Sequence, residues 1–237
     1  VVYEDEWFLV VNKPSGVRTH PVHRFEGGSL LNWVLGYLDV GKIHTVHRLD
    51  QQTSGLVIFA KNPTTAEAVN AQFRDRLVRK QYLSIVDGTM PETDPFFVDA
   101  PIARCPTDRI KRRVDNAQGK PSRTQLTVLS TTPTASLLLA QPLSGRTHQI
   151  RLHARHAGFP IVGDDLYGTE AMALERQGAV EDVPAETQRL LAAGDCLRRD
   201  LKLHAFRLQL QHPCTGETMV LGAPPPPHFA ETAAAYG

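Results

Sequence analysis

A guanidinium and a carboxylate stand two residues apart in His47-Arg48-Leu49-Asp50-Gln51-Gln52-Thr53-Ser54-Gly55, a polar stretch that runs directly into the apolar Leu56-Val57-Ile58-Phe59-Ala60. A loop feeding a buried strand can present Asp50 as a nucleophile or general base, provided a neighbouring cation holds it ionised in a desolvated setting. Thr53 and Ser54 supply hydroxyls able to cap or brace that loop. Taken alone, an Asp between an Arg and a Gln-Gln-Thr turn is more often an ordinary loop carboxylate, so the rest of the chain must carry the case for chemistry.

Three other groups of residues bear on it. In Lys80-Gln81-Tyr82, Tyr82 either packs in a core with its hydroxyl at the rim or faces a cleft, where it offers a stacking surface and a proton-transfer group. In Gly145-Arg146-Thr147-His148-Gln149-Ile150-Arg151-Leu152-His153, a helix would put Arg151 on one face with Thr147 and His148. Arg146 would then sit at the helix start, where the macrodipole gives a cation no benefit, and this points to a phosphate or carboxylate partner. The third group is histidine: His20 with His23, His44 with His47, and His148 with His153 and His156. A metal-dependent hydrolase is the rival these raise, but His-Glu-x-x-His and any Cys/His ligand set are missing, so no metal is expected. Neither Gly-x-x-x-x-Gly-Lys-Ser/Thr nor Gly-x-Gly-x-x-Gly is present, and no nucleotide cofactor is expected.

The 237 residues, 41% of them apolar, suffice for one large domain or two closely joined lobes. No apolar run approaches the roughly 20 residues of a membrane span. Cys105, Cys196 and Cys214 are too few and too irregularly spaced for a disulfide framework, so a reducing cytoplasm is the expected compartment. The chain opens at Val1 on an acidic segment without a signal-peptide pattern, and a start without Met suggests that something upstream was processed or trimmed. Net charge is only +1, yet residues 101–160 hold ten Lys or Arg against Asp108 and Asp115, a local excess of +8. Such asymmetry is the footprint of nucleic-acid binding on one face, with a merely solvated basic hairpin as the alternative.

The elements that must position these residues follow from periodicity. Residues 8–12 read as a buried strand stopped by Pro14 and Ser15-Gly16. Ser29 caps a short helix over residues 30–35, and Asn62-Pro63 start another through about Val78, with Ala66, Val69, Phe73 and Leu77 on one side. Strands are expected over residues 56–60, 81–86, 124–129, 136–140, 201–211 and 218–221, and a helix over 147–157 ending at Gly158. Residues 87–120 read as a loop or hairpin excursion carrying the basic cluster. Residues 170–200 are polar with weak helical periodicity, and residues 224–227 form a terminal extended segment. Strands outnumber helices, so the fold class is α+β with a mixed, mostly antiparallel sheet and flanking helices.

Six segments in order, Asn12-Lys13-Pro14-Ser15-Gly16, His47-Arg48-Leu49-Asp50 with Thr53-Ser54-Gly55, Lys80-Gln81-Tyr82, the Arg146 to His153 run, Gly163-Asp164 with Tyr167-Gly168, and Leu203-His204-Ala205, resemble the RluA family of pseudouridine synthases. The resemblance spans nearly the whole chain and implies a single catalytic domain over residues 1–237 with a central active-site cleft. It implies isomerisation of a uridine within RNA, without cofactor, after the target base is flipped from its stack at a cost of about a few kcal/mol. Asp50 resembles the essential carboxylate, Arg151 its ion-pair partner, and Tyr82 the residue that stacks on the uracil and assists loss of the C5 proton. Arg48 would fill the space left by the flipped base with His47 nearby, and Leu203 would wall the pocket. Thr53, Arg146, His148, Arg112 and Arg113 are the further residues expected to face RNA, with residues 104–123 as an extra clamp. No S4-like RNA-binding domain is visible, which leans toward a compact enzyme acting as a monomer on a tRNA or rRNA stem-loop. A catalytically silent RNA-binding protein of the same fold is the alternative.

Overall fold

The computed structural model describes residues 1–21, 27–91, 94–169 and 200–235, so His23, Cys196 and nearly all of the polar stretch 170–200 lie outside the described residues. In chain order its elements are β1 (Tyr3–Glu4), β2 (Phe8–Lys13), α1 (Leu30–Leu38), β3 (His44–Thr45), β4 (Ser54–Ala60), α2 (Pro63–Arg74), β5 (Arg79–Asp87) and β6 (Phe96–Asp99). They continue with β7 (Ile102–Arg104), β8 (Arg112–Val114), β9 (Arg123–Thr131), β10 (Ala135–Pro142), α3 (Gln149–His156), β11 (Leu203–Gln211), β12 (Thr218–Gly222) and α4 (Pro227–Ala235). Strand pairing is mixed and mostly antiparallel, as an α+β class requires. The chain forms two compact units, Val1–Leu83 with Leu203–Pro226, and Ser84–Lys202 with Pro227–Gly237.

In the first unit β2 runs antiparallel to β4, from Phe8 opposite Ala60 to Lys13 opposite Gly55, and β11 pairs parallel to β4 at His204–Ser54 and Ala205–Gly55. Alternation divides the side chains between two cores. Phe8, Val10, Leu56 and Ile58 join Val69 of α2, whereas Leu9, Val11, Val57 and Phe59 join Leu30 and Val34 of α1. Because both faces are covered, β2 and β4 read as continuous apolar runs rather than alternating ones. Helix α1 starts where Ser29 and Asn32 form a reciprocal capping box. Helix α2 starts at Asn62, whose side chain accepts from the Thr65 N–H, with Pro63 in the first turn.

Two expectations fail in or next to this unit. Helix α2 ends at Arg74 rather than near Val78, because Arg76 turns into the left-handed region (φ 60°) and the Leu77 N–H closes on the Gln72 carbonyl. Leu77 is therefore exposed, not on the buried side. The proline run, expected to stay extended, ends in a helix, since Pro227 occupies a first-turn position where its missing N–H is not needed.

In the second unit β9 and β10 form an antiparallel hairpin with a bulge at Leu137/Leu138, and β6 pairs with the other edge of β9. The basic excursion is a separate two-stranded hairpin, β7–β8, with Ile102 opposite Val114 and Arg104 opposite Arg112. Helix α3 begins at Gln149, not Thr147. His148 precedes it in the left-handed region (φ 59°), and the Gln149 side chain satisfies the turn before it, accepting from the Ser144 hydroxyl and the Arg146 N–H. Arg146 and Thr147 thus lie outside the helix, so the shared helical face expected for Thr147, His148 and Arg151 does not form.

Candidate active site

The Asp50 loop is held by side chains that bond to backbone. Lys13, wholly buried at the end of β2, donates from Nζ to the carbonyls of Pro14 (2.9 Å), Val17 (2.7 Å) and Gln51 (3.0 Å). Ser15 donates to the Gln52 carbonyl (2.8 Å), and Gln51 Nε2 donates to the Gly16 carbonyl (3.0 Å). Thr19 Oγ1 donates to the Leu49 carbonyl (2.9 Å) and accepts from the Leu49 N–H (3.2 Å). The loop then turns at Asp50, whose carbonyl accepts from the Thr53 N–H (3.1 Å). These bonds fix the backbone on both sides of Asp50, so that its carboxylate is carried on a braced loop.

Beyond the turn, Ser54 Oγ lies 2.9 Å from His204 Nδ1, and His204 Nε2 reaches the Ala223 carbonyl (3.0 Å). Gly55 adopts φ +114°, and a Cβ there would lie 2.3 Å from the Ala205 carbonyl oxygen, so only glycine lets β11 approach β4 this closely. Leu203 is buried at the start of that strand. Thr53 braces the loop through its N–H alone. Its buried hydroxyl has no hydrogen-bond partner among the described residues.

The electrostatics of Lys13 and Tyr82 both register the Asp50 charge. Burial pulls the Lys13 ammonium from 10.5 to about 8, with the Asp50 carboxylate opposing that shift. Burial, and then the Asp50 carboxylate, raise the Tyr82 hydroxyl well above 10.0. Tyr82 packs against the apolar cluster of Leu9, Leu49, Val57 and Ala205. A phenol held protonated suits stacking and hydrogen-bond donation, and works against its acting as a base.

Arg48 is exposed beside this loop, whereas His47 is turned inward. Nε2 of His47 accepts from the Ile58 N–H (3.1 Å) and its ring lies against Phe73, 4.9 Å between centroids. Burial first, and then Lys80, push its pKa from 6.5 to about 3, so the ring is neutral. The expectation that His47 faces RNA therefore meets a residue already engaged in holding β4.

Arg151 belongs to the second unit, on α3, and is 3% exposed. Its Nε donates to Asp164 Oδ2 (2.7 Å), and one terminal nitrogen to Asp164 Oδ1 (2.6 Å) and Asp165 Oδ1 (2.9 Å). The Tyr167 ring centroid lies 5.2 Å from the guanidinium carbon. His148 Nδ1 is 2.8 Å from the Tyr167 hydroxyl, and Arg146 Nε donates to the Pro121 carbonyl (3.3 Å). In the hairpin, Arg112 folds its guanidinium onto the carbonyls of Arg109, Ile110 and Lys111, and Arg113 pairs with Asp115 (2.6 Å). The exposed cations around those two are Arg104, Arg109 and Lys120.

The structure thus gathers Asp50, Lys13 and Tyr82 in one unit, and Arg151, His148, Asp164 and Tyr167 in the other. Lys13, Thr19, Asp164 and Tyr167 escaped role assignment from sequence. Three of them stand in segments that carry the family resemblance, which is the signal available for them, while Thr19 has none. Among the described residues no three His, Cys, Asp or Glu come together as a metal-holding group. His47, His153, His204 and His212 instead hydrogen-bond within the protein.

Known proteins resemble the chain over most of its length. Residues 7–156 match the family model described as RNA pseudouridylate synthase. The chain is 35% identical over 233 residues to ribosomal large subunit pseudouridine synthase C of Haemophilus ducreyi, covering 94% of this chain and 65% of that protein. It is 35% identical over 230 residues to ribosomal large subunit pseudouridine synthase D of Neisseria meningitidis serogroup B, covering 95% and 58%. The chain therefore spans less than two thirds of the length of these relatives. Among solved structures, human RNA pseudouridylate synthase domain containing 1 superposes with a TM-score of 0.72 at 30% identity, covering 95% of this chain and 82% of that one. Human RNA pseudouridylate synthase domain containing 4 gives 0.74 at 27% identity, covering 99% and 91%. With its motifs, fold and family match in agreement, the chain belongs to the RluA family of pseudouridine synthases.

Proposed function

We propose that this chain is an RNA pseudouridine synthase that isomerises a uridine in ribosomal or transfer RNA. The N1–C1′ bond breaks, the uracil turns, and C5 joins C1′; the C5 proton leaves and N1 gains one, so the reaction balances without cofactor or co-reactant. Asp50 is the essential carboxylate, and the observation that carries the reading is its setting. It sits on a loop braced from both sides, with a buried Lys13 and a protonated Tyr82 responding to its charge. Tyr82 stacks on the flipped uracil, Arg48 fills the vacated stack, and Leu203 walls the pocket. Arg151 belongs to the same machinery. The names of the relatives favour ribosomal RNA among the candidate substrates.

The family match runs through residues of both units, which supports reading them as parts of one catalytic domain. The protein acts as a monomer in the reducing cytoplasm, where the free thiols of Cys105 and Cys214 persist. No helix among the described residues is long and apolar enough to cross a membrane. The β7–β8 hairpin adds a grip on phosphates through Arg104, Arg109 and Lys120, the exposed cations that Arg112 and Arg113 do not duplicate. Neutralising these three flattens the salt dependence of RNA binding by about three counter-ions; an unchanged slope removes the clamp.

Mapping pseudouridines in total RNA from cells with and without the protein tests the function directly. Loss of one or a few defined pseudouridines identifies the substrate. Identical maps, together with no tritium release from C5-labelled uridine RNA in vitro, leave the silent RNA-binding protein as the correct description.

A further inference from the structure

Tyr167 takes part in three contacts at once, each with a residue the proposed chemistry or RNA grip depends on. Its ring, 1% exposed, lies against the Arg151 guanidinium. Its hydroxyl accepts from the backbone N–H of Arg112 (2.7 Å), on the strand β8 that closes the basic hairpin. The same oxygen is 2.8 Å from His148 Nδ1, and donation to that nitrogen satisfies both groups. Tyr167 is in turn placed by Asp164, whose Oδ1 accepts from the N–H groups of Leu166 (3.0 Å) and Tyr167 (2.9 Å) as well as from Arg151. Gly168 closes that turn on the Asp164 carbonyl, and a Cβ there would lie 2.3 Å from the same oxygen. Arg151, Asp164, Tyr167 and the hairpin backbone therefore form one chain of direct contacts.

We propose that Tyr167 is a positioning residue that ties the β7–β8 hairpin to the seat of Arg151, so that RNA gripped by the hairpin steadies the guanidinium. The proposal rests on the chain being an RNA pseudouridine synthase. It makes the hairpin contribute to turnover as well as to binding. A bare phosphate clamp affects ground state and transition state alike and appears in KM alone, whereas a grip relayed to a catalytic-site cation also appears in kcat.

Tyr167→Phe keeps the ring on Arg151 and removes only the hydroxyl. In the free protein the Arg112 amide should then exchange hydrogen about tenfold faster or more, having lost its acceptor, while amides of β9 and β10 keep their rates. In the wild type, Arg104→Gln with Arg109→Gln should raise KM and lower kcat about tenfold; in the Tyr167→Phe background the same pair should raise KM and leave kcat unchanged. Arg112→Pro deletes the donor from the hairpin side with Tyr167 intact, and its effect on kcat should not add to that of Tyr167→Phe. An unchanged Arg112 amide overturns the tie, and an undiminished kcat penalty in Tyr167→Phe overturns the relay. Faster exchange in a protein whose wild type releases no tritium leaves the tie standing and overturns the synthase reading on which the relay depends.

Discussion

Around Asp50 the bonds from Lys13, Ser15, Thr19 and Gln51 run from side chain to backbone, whereas around Arg151 charge meets charge. Lys13, Ser15, Thr19 and Gln51 all end on main-chain groups of the two loops they join. Arg151 ends on the carboxylates of Asp164 and Asp165, and Asp164 also gathers two backbone N–H groups. The first arrangement stiffens the loop that carries Asp50 through its main chain, the Lys13 ammonium included. The second fixes a guanidinium in a dry site, where an unpaired charge would cost several kcal/mol. A braced backbone fixes where a loop side chain is presented, and bidentate pairing fixes where a buried cation stays.

Substitutions that remove one kind of support test this contrast. The largest loss belongs to the charged seat: Asp164→Asn takes the buried carboxylate away from the buried Arg151 guanidinium and should cost about 3–5 kcal/mol in urea unfolding. A loss below about 1 kcal/mol would mean that Arg151 is held without the Asp164 charge, and the contrast with the Asp50 loop would fade. Next comes His47, a neutral ring inside the first unit. With its pKa moved from 6.5 to about 3, its contribution is complete above pH 6.5 and is lost as pH falls toward 3. The unfolded chain binds the proton first in that window, so stability should fall across it by up to a few kcal/mol, and His47→Gln should flatten the pH dependence of the unfolding midpoint. The smallest effect belongs to Thr19→Val, which strips both bonds from Leu49 while keeping the shape, at about 1–3 kcal/mol. Activity should fall more steeply than stability in that variant, because Leu49 adjoins Asp50; equal falls would make Thr19 a general packing residue.

How far the sequence discloses this differs between the two regions. The capping residues Ser29 and Asn62, the Pro63 start and the apolar run of β4 are local signals, and the elements follow them closely. The end of α2 is hidden because Arg76, not a glycine, takes the left-handed position. The start of α3 is hidden because Gln149 caps from inside the helix, reaching back to Ser144 and Arg146. Asp50 is legible from its loop and motif, but its bracing is not, since the bonds from Thr19 and Lys13 span 30 and 38 residues of chain. Arg151 is legible as a residue of interest, yet its pairing with Asp164 joins a helix to a turn, and no periodicity predicts that. The basic excess over residues 101–160 is visible in composition, but the hydrogen bonds that hold Arg112 on backbone carbonyls and Arg113 on Asp115 are not.

The central claim is that the braced carboxylate performs the isomerisation, and tritium release from C5-labelled uridine RNA by wild type and Asp50→Asn tests it most directly. With unfolding midpoints matched, the wild type should release one tritium per modified uridine, and Asp50→Asn should be slower by about four orders of magnitude or more while still binding the RNA. Equal release from both proteins, or none from either, contradicts the account.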